Sequence, residues 1–136
     1  MKEAVIIEGV RTPVGKRNGL LSGIRAEELA ALPLAEVVKR AGIEPGLVED
    51  VIYGCVTQVG EQASDIARQA ALIAGFPIEV PGTTIDRQCG SSQQAVHFAA
   101  QAIISVDMDV VIAGGVESMS RVPMFSNTQG VTYSEA

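Results

Sequence analysis

The sequence has few of the residues that most often mark a protein's function. Tryptophan is absent, aromatic residues make up 4% of the chain, and there are one histidine and two cysteines. So few nitrogen and sulfur ligands, far apart in sequence, make a zinc site improbable. Hydrophobic residues nevertheless form 47% of the 136 residues. Small aliphatic side chains must therefore fill the core, which favours one domain of ordinary size with close helix–sheet contacts.

The chain also lacks an excess of positive charge and any long hydrophobic run. Its formal net charge is −6 and its Lys and Arg residues are scattered, so a nucleic-acid partner is not expected. The first residues include Lys2, Glu3 and Glu8, and their apolar run is too short for a signal peptide. No stretch approaches the length of a membrane-spanning helix. These absences predict a cytoplasmic protein without a membrane partner, in which both cysteines are free thiols.

Short apolar runs alternate along the chain with segments of helical periodicity. The short runs predict four strands, at 4–10, 51–57, 83–87 and 109–114. The periodic segments predict three helices, at 26–41, 63–74 and 91–105. Pro33 lies inside the first helix and is expected to kink or split it. The order β-α-β-α-β-α-β indicates an α/β fold with a mostly parallel sheet and right-handed crossovers.

Cys89 lies where the third predicted strand gives way to the third helix. The start of a helix exposes unpaired N–H groups and a partial positive charge, which favour a thiolate over a thiol. Gly90 removes side-chain bulk beside the sulfur, and the same N–H groups are suited to bind a developing oxyanion. This arrangement suits acyl transfer through a thioester. Spacing alone supports an inert cysteine at a helix cap equally well.

The other candidate groups have simpler interpretations. Cys55 falls inside the second predicted strand, which is typical of a buried and inert thiol. His97 follows Cys89 by eight residues on one helix, which places it ~12 Å away and excludes it as a local base. Gly114–Gly115 forms a turn where the backbone can approach a neighbour closely. From spacing alone, Glu117 is interpreted as a surface carboxylate.

Four motifs in order along the chain resemble those of the thiolase family. They are Arg11-Thr12-Pro13-Val14-Gly15, the segment from Gly60-Glu61-Gln62 to Ala67-Arg68-Gln69-Ala70-Ala71, Asp86-Arg87-Gln88-Cys89-Gly90-Ser91, and Gly114-Gly115-Val116-Glu117-Ser118-Met119-Ser120. The sequence departs from the family at Asp86, where many thiolases have Asn, and at Ser92, where many have Gly. A serine at position 92 would narrow the space beside the helix start.

The resemblance implies the first half of a thiolase-like fold, βαβαβαβ, ending before the last strand of its sheet. Residues 1–120 would form the thiolase N-terminal domain, which is incomplete, and 121–136 would begin an inserted loop region. CoA thioesters are the implied substrates, with no bound cofactor and no metal. Cys89 would accept an acyl group from an acyl-CoA or 3-ketoacyl-CoA and pass it to CoA or to a second acyl-CoA. Gly90, Glu117 and Met119 would bind substrate or support the pocket.

The family's histidine base and second cysteine belong to a later half, so these residues alone are expected to be inactive. The full-length protein is expected to be a homodimer or homotetramer. Two alternatives stay open. One is a non-catalytic thiolase-like module that pairs with a second chain. The other is a ketoacyl synthase, although the Arg-Thr-Pro and Gly-Gly-Val-Glu-Ser-Met-Ser motifs favour a thiolase.

Overall fold

The computed structural model describes residues 2–132, which form a small parallel sheet with helices on both faces. The strands, in the sheet order β2-β1-β3, are β1 (Asp50–Gly54), β2 (Gly82–Ile85) and β3 (Val111–Gly115). The helices are α1 (Ala26–Ala41), α2 (Ile66–Ile73) and α3 (Ser91–Ile104). The predicted α/β class and parallel sheet are confirmed. None of the helices within residues 2–132 is long and apolar enough to cross a membrane.

The central strand β1 is buried on both sides, which explains why its sequence is a continuous apolar run. Val51 and Tyr53 point to one side and join the core formed with α1 and α2. Ile52 points to the other side and packs against Ala95 and Ala99 of α3. The alternation places α3 alone on one face, with its first turn over the carboxyl end of β1.

Helix α1 begins and ends where its sequence predicts. Gly42 adopts a left-handed conformation with φ 67 and ends the helix, and its N–H donates to the carbonyl of Lys39. The helix runs unbroken through Pro33, so the predicted split is wrong. A proline removes one N–H from the ladder, and the buried contacts of Ala30 and Leu34 on either side keep the helix in place.

Helix α2 begins three residues later than the periodicity predicts. Ser64 and Asp65 both have positive φ, at 56 and 60, which a helix does not admit. The Asp65 carboxylate caps the helix by accepting the Arg68 N–H, and it also accepts the Thr84 hydroxyl at 2.6 Å. The cap therefore also ties α2 to strand β2.

The prediction of a strand at residues 4–10 is wrong, because this segment belongs to no strand. The side chains of Val5, Ile6 and Ile7 are 64%, 86% and 71% exposed. A strand needs a neighbouring backbone to pair its N–H and C=O groups. Within residues 2–132, no strand lies alongside this segment, and β3 pairs only with β1. The apolar run therefore has the composition of a strand without the neighbour that would make it one.

Candidate functional site

Cys89 lies on a tight turn that links β2 to α3, as its sequence position predicts. Strand β2 ends at Ile85, and α3 begins at Ser91 with Gly90 as its N-cap. Between them, Gln88 has φ 47, an unusual left-handed conformation for a residue with a side chain. The side chain of Cys89 is exposed to solvent. The turn thus presents a sulfur atom at the start of a 14-residue helix.

Two glycines allow the first turn of α3 to lie directly against the ends of the strands. A Cβ atom at Gly54 would stand 2.3 Å from the backbone nitrogen of Ser92, and one at Gly115 would stand 2.0 Å from the Ser92 hydroxyl oxygen. Neither position has room for any side chain. The serine at 92 does fill the space beside the helix start, as its sequence departure predicts.

Gly90 differs from these two glycines, because nothing in the protein forbids a side chain there. Its φ is −97, which any residue can adopt, and a Cβ would meet the Arg87 carbonyl at an ordinary 3.4 Å. Internal packing therefore does not require a glycine at position 90. The glycine leaves no side chain on the backbone directly after Cys89.

Glu117 is half-buried and bound on several sides, so the interpretation as a free surface carboxylate is wrong. Its Oε2 accepts the Val56 N–H at 2.8 Å, and its Oε1 accepts the Thr57 N–H at 3.3 Å. The amide of Gln62 donates to the same Oε1 at 2.8 Å and to the Thr57 carbonyl at 2.8 Å. The carboxylate thus holds the segment that follows β1.

Gln62 is the residue of this network that sequence reasoning missed. It is fully buried, and its carbonyl accepts the Ser118 N–H at 2.6 Å. A buried amide needs partners for both its donors and its acceptor, and Gln62 finds them in two loops that are distant in sequence. The sequence feature that could have pointed to Gln62 is its place in the Gly60-Glu61-Gln62 motif.

Cys55 lies between the Glu117 network and the Cys89 turn. Its N–H donates to the Ile85 carbonyl at 3.0 Å, and its side chain is 1% exposed. Burial, with smaller contributions from the charges of Glu117 and Asp86, raises the pKa of Cys55 to about 12. A thiol that keeps its proton is a poor nucleophile. The prediction that Cys55 is a buried packing residue is confirmed.

An ion pair fastens the loop after β3 to the start of α1. The Arg121 Nε donates to Glu61 Oε2 at 2.6 Å, and a second guanidinium nitrogen donates to Oε1. The Ala26 N–H, at the start of α1, also donates to Glu61. The hydrogen bond from Arg121 is the largest cause that lowers the pKa of Glu61 to about 2.

A cleft lies beside β3, and its lining does not include Cys89. It measures about 860 Å³, and its walls include Glu117, Met119 and the segment 8–17. Met119 is 54% exposed in this cleft. Met119 therefore shares this cleft with Glu117, whereas Cys89 does not line it.

His97 is exposed on α3, two turns beyond the sulfur. Within residues 2–132, Cys89 makes no hydrogen bond to a histidine or a carboxylate. The described residues therefore supply an exposed sulfur at a helix start, without a base in contact with it.

Comparison with known proteins gives consistent matches. The family described as "Thiolase, N-terminal domain" matches residues 4–135. A steroid 3-ketoacyl-CoA thiolase of Mycobacterium tuberculosis is 55% identical over 126 residues, covering 93% of this chain and 31% of the relative. A 3-oxoadipyl-CoA/3-oxo-5,6-dehydrosuberyl-CoA thiolase of Escherichia coli is 48% identical over 98% of this chain and 34% of its own. A 3-ketoacyl-CoA thiolase of Bacillus subtilis is 45% identical over 93% and 33%. The chain spans about a third of the length of these relatives.

Proposed function

Because this chain belongs to the family of thiolase N-terminal domains, we propose that it carries the acyl-accepting nucleophile of an acyl-CoA C-acyltransferase. The nucleophile is Cys89, and the substrates are CoA thioesters. Two of the relatives are named as 3-ketoacyl-CoA thiolases, which supports this substrate class. The observation that carries the proposal is that Cys89 is exposed on a tight strand-to-helix turn. It directly precedes Gly90, the N-cap of α3.

The start of α3 is a place where negative charge is favoured. The first N–H groups of α3 have no carbonyl of their own helix to bind, and the helix dipole adds a partial positive charge at the same end. Gly54 and Gly115 let this helix end sit directly on the strand ends. Its N–H groups are therefore fixed before any substrate binds, which is the condition for stabilising a developing negative charge at low cost.

The proposed reaction begins with attack of the Cys89 sulfur on the keto carbon of a 3-ketoacyl-CoA. An S–C bond forms and the carbonyl oxygen takes the electron pair as an alkoxide. When the carbonyl reforms, the bond between C2 and C3 breaks and the electron pair leaves on C2, which takes a proton to give acetyl-CoA. The shortened acyl group remains on Cys89 as a thioester. The thiolate of a second CoA then attacks this thioester and releases acyl-CoA, returning the Cys89 thiolate.

The proton transfers in this sequence need an acid and a base. General acid–base catalysis contributes ~10²–10⁴-fold to such reactions. The resemblance assigns these groups to a later half of the family's chain. We therefore propose that residues 1–136 accept an acyl group slowly and do not turn over.

Gly90 and the Glu117 network take different parts in this proposal. The absence of a side chain at Gly90 lets the thioester approach the sulfur. Glu117 supports the site indirectly, since it binds the N–H groups of Val56 and Thr57. The preceding residue, Cys55, donates its N–H to Ile85 at the end of β2. For Met119 we propose a place in the wall of a substrate pocket that includes the cleft beside β3.

The remaining proposals follow the resemblance. Residues 121–136 would begin a loop region inserted into the domain. The complete protein would act in the cytoplasm as a homodimer or homotetramer and would hold no cofactor.

The proposal is tested by acyl capture. The chain is incubated with acetyl-CoA, and peptide mass spectrometry locates any acetyl group. Exchange of one thioester for another breaks the S–C bond of acetyl-CoA, forms one at Cys89 and releases CoA as the thiolate, so it needs no further reactant. We expect a hydroxylamine-sensitive acetyl group on Cys89, none on Cys55, and none on either residue in Cys89→Ser.

The opposite result is equally specific. Unmodified Cys89 in a folded chain, at acetyl-CoA concentrations that acetylate surface lysines, would contradict a role as acyl acceptor. It would favour the non-catalytic module that pairs with a second chain.

A further inference from the structure

Ser91 is the first residue of α3, and its hydroxyl is turned away from its own helix. Its Oγ accepts the Arg87 N–H at 2.8 Å and donates to the Gln88 carbonyl at 2.6 Å. The residue is 4% exposed, whereas the neighbouring Cys89 is exposed. One buried hydroxyl thus binds the backbone at the two residues that precede the sulfur.

This use of the hydroxyl is not helix capping. The N-cap of α3 is Gly90, which has no side chain to offer, and Ser91 gives its hydrogen bonds to the turn instead of to the helix N–H groups. The first-turn N–H groups of α3 are thereby left without a side-chain cap. The N–H groups of Gly90 and Ser91 donate instead to the carbonyls of Arg87 and Gln88, at 3.0 and 3.1 Å, so the backbone closes the turn as well.

The turn needs such restraint because Gln88 has φ 47. A residue with a side chain pays a conformational cost there, and the surrounding structure must hold it. Two side chains do so from opposite sides. The Asp86 carboxylate accepts the Gln88 N–H at 2.7 Å, and the Ser91 hydroxyl donates to the Gln88 carbonyl.

We propose that Ser91, assisted by Asp86, is a positioning residue that holds Gln88 in its left-handed conformation and so fixes the Cys89 sulfur at the helix start. This inference rests on the proposed role of Cys89 as a nucleophile. Neither side chain is required to touch the substrate.

The direct test measures alkylation of Cys89 by iodoacetamide in Ser91→Ala, with Cys55 in the same molecule as a reference. Loss of both hydroxyl hydrogen bonds is expected to slow Cys89 roughly tenfold. In the same variant, the strong intraresidue HN–Hα NOE that marks a positive φ at Gln88 should weaken. Ser91→Thr keeps the hydroxyl and should restore most of the rate. A role confined to overall stability would lower the melting temperature without changing this NOE in the folded population.

Ser105→Ala is the matched control at the other end of α3. The Ser105 hydroxyl also donates to a backbone carbonyl three residues earlier, that of Ala102, at 2.9 Å, but it is far from Cys89. This variant should leave the alkylation rate of Cys89 unchanged.

A second pair of variants decides the matter if Ser91→Ala does not fold. Asp86 is exposed, so its replacements should fold. Asp86→Ala and Asp86→Asn are both uncharged, but only asparagine keeps an oxygen for the Gln88 N–H. Slower alkylation in the alanine variant than in the asparagine variant supports the positioning role, and equal rates overturn it.

The two proposals fail in different ways. Rapid alkylation of Cys89 in the parent chain, unchanged in Ser91→Ala, overturns the positioning role and leaves the nucleophile in place. Slow alkylation in the parent chain, no faster than after unfolding in urea, overturns the nucleophile itself.

Discussion

The Cys89 turn and the N-terminal segment 4–10 are both predicted from short sequence patterns. The structure contains the predicted turn but not the predicted strand. At the Cys89 turn, the Ser91 hydroxyl accepts the Arg87 N–H and the Asp86 carboxylate accepts the Gln88 N–H, so both side chains act from nearby in the sequence. Residues 4–10 leave Val5, Ile6 and Ile7 more than half exposed. A turn whose restraints are local forms from its own sequence. A strand forms only beside a neighbour.

The largest effect is expected where the helix start meets the sheet. Gly54→Ala places a Cβ 2.3 Å from the Ser92 nitrogen and 2.4 Å from the Ser91 carbonyl carbon. Backbone has to move, so the free energy of unfolding should fall by about 3 kcal/mol or more. Urea denaturation followed by circular dichroism measures it.

Gly90→Ala is the matched control for that variant, because it adds the same methyl group in ordinary space. Its free energy of unfolding should stay within about 1 kcal/mol of the parent. Acyl capture at Cys89 should nevertheless fall, since the methyl group occupies the space beside the sulfur. A loss of stability as large as that of Gly54→Ala would contradict the distinction between the two glycines.

The next effect concerns the Glu117 network. Glu117→Gln keeps the size of the side chain but replaces one acceptor oxygen by an NH₂ group that faces N–H donors. An unsatisfied donor in a half-buried site costs about 1–3 kcal/mol. Glu79→Gln, at an exposed glutamate, should cost almost nothing. Equal unfolding free energies for the two variants would show that the network does not hold the segment after β1.

A smaller effect is expected from the Glu61–Arg121 ion pair, and it depends on pH. Because the folded protein lowers the pKa of Glu61 to about 2 from its ordinary 4.5, the pair stabilises the fold fully above pH 4.5. Its contribution is lost as the pH falls from there toward 2. The pair is partly exposed, so its worth is about 1 kcal/mol or less.

Glu61→Gln should remove that part of the acid sensitivity. Thermal melts of parent and variant between pH 2 and 7 should converge at the acid end. Curves that stay parallel throughout would contradict the assigned cause.

The smallest effect should come from the N-terminal segment. Ile6→Ala removes an apolar side chain that is 86% exposed, so the change in unfolding free energy should be under about 0.5 kcal/mol. Leu34→Ala removes a fully buried side chain and should cost about 2–5 kcal/mol. If both variants lost similar stability, the segment would have to be packed in solution, and the contrast with the Cys89 turn would disappear.

The sequence was sufficient for features that depend on local periodicity and local chemistry. Gly42 ends α1 and Cys89 precedes α3 as predicted. It was insufficient for features that depend on distant partners. Gln62 and Ser118 meet across 56 positions, and no pattern within either segment reports that contact. The strand at 4–10 failed for the same reason, since an apolar run does not specify whether a neighbouring strand is present.

The glycines show the same limit. The sequence has the same residue type at Gly54, Gly90 and Gly115. Contacts within the fold require a glycine only at Gly54 and Gly115 among these three. Spacing identified the close approach at Gly115 and the absence of side-chain bulk at Gly90. It gave no sign that Gly54 lies under the start of α3.

If the fold activates the sulfur of Cys89, alkylation of the same chain in its folded and unfolded states should reveal it. Iodoacetamide labelling is timed by peptide mass spectrometry in buffer and in urea at the same pH. We expect Cys89 to react at least roughly tenfold faster than Cys55 in the folded chain, and faster folded than unfolded. A Cys89 that reacts no faster in the folded chain than in urea would show that the fold does not activate its sulfur.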